Sequence, residues 1–115
     1  MIVYGIKNCN TVKNALVWLK KKKIAFDFHD YKKEGITSDK LKAWSKQVGW
    51  ERLVNKKGQT WRKLNEKEQK KVTTEVLAIR LMTDKTSVIK RPLIEVKGKV
   101  VLLGFDEVEY TKKLT

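Results

Sequence analysis

Ile2-Val3-Tyr4-Gly5-Ile6-Lys7-Asn8-Cys9-Asn10-Thr11-Val12 carries the strongest structural signal in the chain. Ile2, Val3, Tyr4 and Ile6 are apolar, and β-branched or aromatic, which predicts a short buried strand. The apolar run breaks at Lys7-Asn8. From there Val12, Ala15, Leu16 and Leu19 recur on one helical face, so a helix is expected over Lys13 to Lys22. The one cysteine of the chain therefore stands at a strand-to-helix junction. Unpaired main-chain N–H groups and the positive end of the helix dipole gather at such a junction. A thiol placed there ionises more readily than its ordinary value of about 8.5 allows. Asn8, Asn10, Thr11, Lys7 and Lys13 surround it, a polar and cationic setting that favours a reactive thiol over a buried apolar one.

The rest of the chain narrows the alternatives. Its 115 residues, 41% of them hydrophobic, suit one domain over residues 1–115 with one continuous core. No signal peptide is expected, and no apolar run approaches the length needed to cross a bilayer. A single cysteine cannot close an internal disulfide, which suits a reducing compartment and a cytoplasmic location. One histidine and one cysteine cannot build a structural zinc site, so no metal and no bound cofactor are expected. The net charge of +14 is spread as lysine along the whole length, as at Lys20–Lys23, Lys56-Lys57 and Lys112-Lys113. Scattered lysine indicates a solvated surface more than a nucleic-acid stripe. Binding of nucleic acid is not expected.

A second strand is expected within Ile24–Tyr31, where Phe26 and Phe28 alternate with polar residues. A helix lies between it and the first strand, so the two should run parallel as a βαβ unit. His29 falls in this alternation, where a structural role is the expectation. Thr37 or Ser38 can cap a helix ending at Gly49, with a short helical turn in Trp50–Val54. Asn55–Gln59 reads as a polar loop, and Thr60–Leu64 brings Trp61 and Arg62 together. Asn65 and Glu68 are spaced for capping another helix, and Thr74–Thr83 reads as a largely buried one. Leu93–Val96 and Val100–Leu103 form a hairpin around Lys97-Gly98. Asp106 can cap a last helix carrying Val108 and Leu114. Pro92, the only proline, opens the third strand either as a plain starter or in the cis form. Arg91 before it carries a guanidinium suited to an oxyanion.

This order, β-α-β, helices, β-β-α, looks like a thioredoxin-type α/β fold with a mixed sheet. Tyr4–Thr11, Phe28-His29-Asp30-Tyr31, Gly58–Leu64, Ile89-Lys90-Arg91-Pro92-Leu93 and Leu102-Leu103-Gly104-Phe105 resemble the arsenate reductase-like (ArsC/Spx) family. Within it they resemble the YffB-type subgroup most. The resemblance implies a thioredoxin-like core with a helical insertion over about residues 37–83. It places the catalytic nucleophile on Cys9 and the oxyanion-binding arginine on Arg91, beside a cis Pro92. Arg62 becomes the second cation, with Thr11, Asn8 and Asn10 around the thiolate. The Asn55-Lys56 region and Gly104 stand where true arsenate reductases carry two further arginines, which points away from arsenate. The implied activity is glutathione-dependent thiol reduction by a monothiol enzyme. Glutathione would be its cosubstrate, and glutathione or a glutaredoxin-type protein its reductant. Val12 occupies the place of a second CxxC cysteine, so the resolving thiol must come from outside. The alternative that the family offers is a Spx-like regulator of transcription that binds RNA polymerase.

Overall fold

The computed structural model describes Met1–Thr115, which form two compact units. Residues 1–34 and 91–115 make the first unit, and residues 35–90 the second. The helical stretch expected at about 37–83 falls inside the second.

The first unit contains β1 (Ile2–Gly5), α1 (Asn10–Lys21), β2 (Asp27–Asp30) and α2 (Tyr31–Glu34). After the second unit come β3 (Leu93–Val96), β4 (Lys99–Leu103) and, closing the chain, α8 (Glu107–Leu114). The sheet order is β2-β1-β3-β4. β1 and β2 run parallel, as the βαβ reading requires, while β3 is antiparallel to β1 and β4 antiparallel to β3. The sheet is therefore mixed, as expected for this α/β fold.

Alternation along the strands gives the sheet two unlike faces. Val3 is opposite Phe28 on β2 and Ile94 on β3. This face joins Ala15, Trp18 and Leu19 of α1, Leu102 of β4 and Tyr110 of α8 in one buried cluster. Tyr110 meets Trp18 and Phe105 edge-on, with ring centres 5.6 and 4.9 Å away, and donates its hydroxyl to the Gly104 carbonyl at 2.6 Å. The other face carries Ile2 opposite Glu95 and Tyr4 opposite His29. It is the face with titratable side chains.

Several boundaries differ from the sequence reading. α1 begins at Asn10, not Lys13, because Cys9 takes the extended N-cap position and its carbonyl accepts from Lys13 N–H at 2.9 Å. The polar first turn hides that start from any hydrophobic pattern. β2 is confined to Asp27–Asp30 because β1 offers only four residues for pairing, and Tyr31 turns at once into α2. Gln59 belongs to a helix rather than to the polar loop.

Gly5 makes the tight junction possible. A methyl group there would lie 3.0 and 3.2 Å from the two Val12 methyls of α1. Gly5→Ala is expected to cost about 1–3 kcal/mol of stability, the usual penalty for an overpacked contact. Urea unfolding measures it, and an unchanged midpoint would show that α1 does not depend on this approach.

The second unit is helical. It consists of α3 (Ser38–Val48), α4 (Trp50–Leu53), α5 (Gln59–Lys63), α6 (Glu66–Lys71), α7 (Glu75–Asp84) and a 3-10 turn at Thr86–Val88. Thr37, Asn65 and Thr74 cap α3, α6 and α7 through their side-chain oxygens, which satisfies N–H groups a helix start leaves open. Leu41 and Trp44 of α3, Leu53 of α4 and Ala78 and Met82 of α7 have no exposed surface. Ser45 donates to Glu75 at 2.8 Å, tying α3 to the start of α7. No helix of the protein is long and apolar enough to cross a membrane.

Candidate active site

Cys9 is partly exposed at the head of α1, with φ −138° and ψ 122°. The sheet ends β1 there, and the twelve-residue helix aims its free N–H groups back at the sulfur. Burial of the thiol opposes its ionisation. The Val12 main-chain N–H, the charge of Arg91, a hydrogen bond from Arg91 and the Thr11 main-chain N–H together outweigh that cost. The Cys9 thiol is accordingly held below the ordinary thiol range. The Cys9 side chain makes no capping hydrogen bond of its own, and the Val12 and Thr11 N–H groups favour its anion. This is the behaviour of a helix N-terminus toward negative charge.

Arg91 reaches Cys9 from the other end of the unit. It precedes the cis peptide bond of Arg91-Pro92, which leads directly into β3. The Pro92 carbonyl accepts from Gly104 N–H at 2.8 Å, joining this turn to the end of β4. Arg91, Pro92, Cys9 and Thr11 thus belong to one unit, although more than eighty residues of chain separate the thiol from the arginine. Asn8 and Asn10 flank Cys9 and are exposed, as is the Thr11 side chain. Arg62 is elsewhere in the chain's organisation. It is an exposed residue of α5 in the second unit, next to Trp61, whose ring lies 5.5 Å from the Lys56 ammonium.

A buried polar cluster continues from Arg91 along the second sheet face, and no sequence signal singled it out. Glu95 is only 3% exposed, and Tyr4 donates its hydroxyl to Glu95 Oε1 at 3.1 Å. Tyr4 stands 4.8 Å from the His29 ring and 6.2 Å from the Tyr31 ring, measured between centres. His29 Nδ1 lies 3.6 Å from Glu34 Oε2. The one available clue was Glu95 itself, a carboxylate within the otherwise apolar run Leu93-Ile94-Glu95-Val96.

A thiol under such control can attack an electrophilic sulfur or an oxidised anion, with Arg91 available to hold negative charge. Residues 4–113 match the ArsC family. The chain belongs to this family. An uncharacterized protein of Haemophilus influenzae is 44% identical over 108 residues, which cover 94% of this chain and 93% of that one. The solved structure of a YFFB protein is 43% identical with a TM-score of 0.91, covering 99% and 98% of the two chains. An arsenate reductase (ArsC) related protein from Brucella melitensis is 42% identical with a TM-score of 0.78, covering 96% and 91%. The ArsC-family, thioredoxin-like fold and the resemblance to YffB proteins expected from the motifs are thereby established. At the level of the family, these likenesses support a thiol-based reductase.

Proposed function

We propose that this ArsC-family protein is a monothiol reductase that uses glutathione. The observation that carries the reading is the pairing of Cys9 with Arg91 and with the first N–H groups of α1, all of which favour thiolate. Cys9 is also the only cysteine, with Val12 three residues on, so no internal thiol can complete a catalytic cycle.

The chemistry follows from these two facts. The Cys9 thiolate attacks one sulfur of a disulfide RS–SR′, forming Cys9–S–SR and expelling R′S⁻. A glutathione thiolate then attacks the Cys9 mixed disulfide, releasing GS–SR and regenerating the Cys9 thiolate. The disulfide substrate is reduced, and two external thiols become oxidised in its place once a second glutathione exchanges with GS–SR. Arg91 holds a carboxylate of glutathione or of the substrate by charge-assisted hydrogen bonds. Asn8, Asn10 and Thr11 border the entrance to the thiol. Glutathione is a diffusing cosubstrate in this scheme, with glutathione itself or a glutaredoxin-type protein restoring the thiol.

Incubation with oxidised glutathione followed by intact-mass and peptide mass spectrometry tests the proposal. The expected product is one glutathionyl group, located on Cys9 and removed by reduced glutathione. A protein that takes up no glutathione while its thiol still reacts with iodoacetamide would show that the reductant is another thiol.

A further inference from the structure

Tyr31 is the buried polar group that the reductase scheme leaves unused. It is 2% exposed, and its hydroxyl has no hydrogen-bond partner. Leaving such a group unpaired inside a protein is costly, so native folds rarely do so without a reason. The neighbouring hydroxyl, on Tyr4, is already committed to Glu95. Tyr31 stacks near Tyr4 and meets His29 at a steep angle, with ring centres 5.9 Å apart, so the aromatic ring is held firmly from two sides. Its hydroxyl remains protonated. Burial first, then Tyr4 and Glu95, push its ionisation well above the ordinary value of 10.0, and Arg91 opposes them only in part. Tyr31 follows β2 at the end where Asp30 pairs with Gly5 of β1, and β3 pairs Leu93 with Tyr4 just after Arg91-Pro92, so this neutral donor belongs to the same end of the sheet as the guanidinium and the head of α1.

We propose that the Tyr31 hydroxyl is a second substrate-binding donor beside Arg91, awaiting an oxygen of a carboxylate or other oxyanion that the guanidinium draws in. This rests on the reductase reading and specifies its ligand class, an anionic group placed close to the sulfur that Cys9 attacks. A neutral donor in a dry setting suits this role. It discriminates for oxygen acceptors without adding charge, and a ligand lacking such an oxygen leaves it unpaired.

Alkylation of Cys9 by iodoacetate and by iodoacetamide separates the possibilities, because the two reagents differ chiefly in a carboxylate. In Tyr31→Phe, the rate with iodoacetate is expected to fall about tenfold, the effect of one hydrogen bond to a charged acceptor, while the rate with iodoacetamide stays as in the parent protein. The melting temperature should hold or rise, since the substitution removes a buried hydroxyl that has no partner. An unchanged ratio of the two rates overturns the proposal, as does equal slowing of both, which would place the effect on the thiol itself. A variant that melts lower or fails to fold also overturns it, by showing that the hydroxyl is satisfied within the protein. Failure of the underlying reductase reading would look different. The parent protein would then react with iodoacetamide only as the pH approached the ordinary thiol range, whatever stood at position 31.

Discussion

Replacing Cys9 by serine is expected to abolish glutathione-linked turnover and every trace of mixed disulfide. The hydroxyl keeps nearly the same size and position but has no anion at neutral pH for the α1 N–H groups and Arg91 to stabilise. Where a nucleophile carries a covalent step, its removal costs up to about 10⁶-fold in rate, and here no second cysteine can substitute. Stability should change by no more than about 0.5 kcal/mol, because Cys9 is partly exposed and the substitution nearly conserves its size. A coupled assay with reduced glutathione and a small disulfide measures the first effect, and urea unfolding the second. Turnover that survives in Cys9→Ser would mean that the thiol is a bystander.

Arg91→Ala should have two separable consequences. It removes both a charge and a hydrogen bond that favour the thiolate, while the burial that disfavours it stays. The sign follows directly. The Cys9 thiol moves back up towards the ordinary thiol range, and the fraction ionised at neutral pH falls. The pH profile of iodoacetamide alkylation should therefore shift to higher pH, with the plateau rate at high pH little changed. Anionic ligands should also bind more weakly. Hydrogen bonds to charged groups contribute about 1.5–3 kcal/mol, so the KM for an anionic substrate should rise about tenfold to a hundredfold. A profile that does not move would leave the α1 N–H groups as the sole source of the lowered ionisation. Arg91→Lys is the informative companion. It retains the charge but loses the planar fork, so it should restore most of the thiol's ionisation and less of the binding.

The two variants also separate the two supports of the thiolate. The helix contribution is built from main-chain groups, so no side-chain substitution within Thr11-Val12 removes it. The Arg91 contribution depends on one side chain, and it is the part open to mutation. Tyr31→Phe leaves both supports in place if the hydroxyl binds substrate alone.

Much of the first unit could be read directly from the sequence because its signals are local. The short apolar run at Ile2–Ile6, the helical recurrence of Val12, Ala15 and Leu19, and the Lys97-Gly98 turn each depend on residues within a few positions of one another. So does the N-cap at Asp106, whose carboxylate accepts from Val108 N–H at 2.9 Å. Chain order then required β1 and β2 to be parallel and β3 and β4 to form a hairpin. A reactive Cys9 could be argued from the same stretch, because a helix N-terminus is specified by the residues that build it. The boundaries were less legible. The first turn of α1 is polar, and the end of β2 is set by how many residues β1 can pair.

The decisive features of the site arise from tertiary structure instead. Arg91 acts on Cys9 only because β3 lies beside β1, a pairing between residues far apart in sequence. Sequence order alone could name Arg91 as a candidate but could not place its guanidinium. Tyr4, Tyr31 and Glu95 read as ordinary strand residues. They become a buried polar cluster because strand alternation puts Tyr4 and Glu95 on the face opposite the apolar one, and the turn into α2 encloses Tyr31 beside them. Burial converts a tyrosine hydroxyl from a routine surface group into an unpaired donor, and burial is a property of the folded chain. Local residue order fixes the strand-helix junction and the lone thiol, whereas which charge reaches that thiol, and which polar groups are shut away from water, follows from long-range strand pairing and burial.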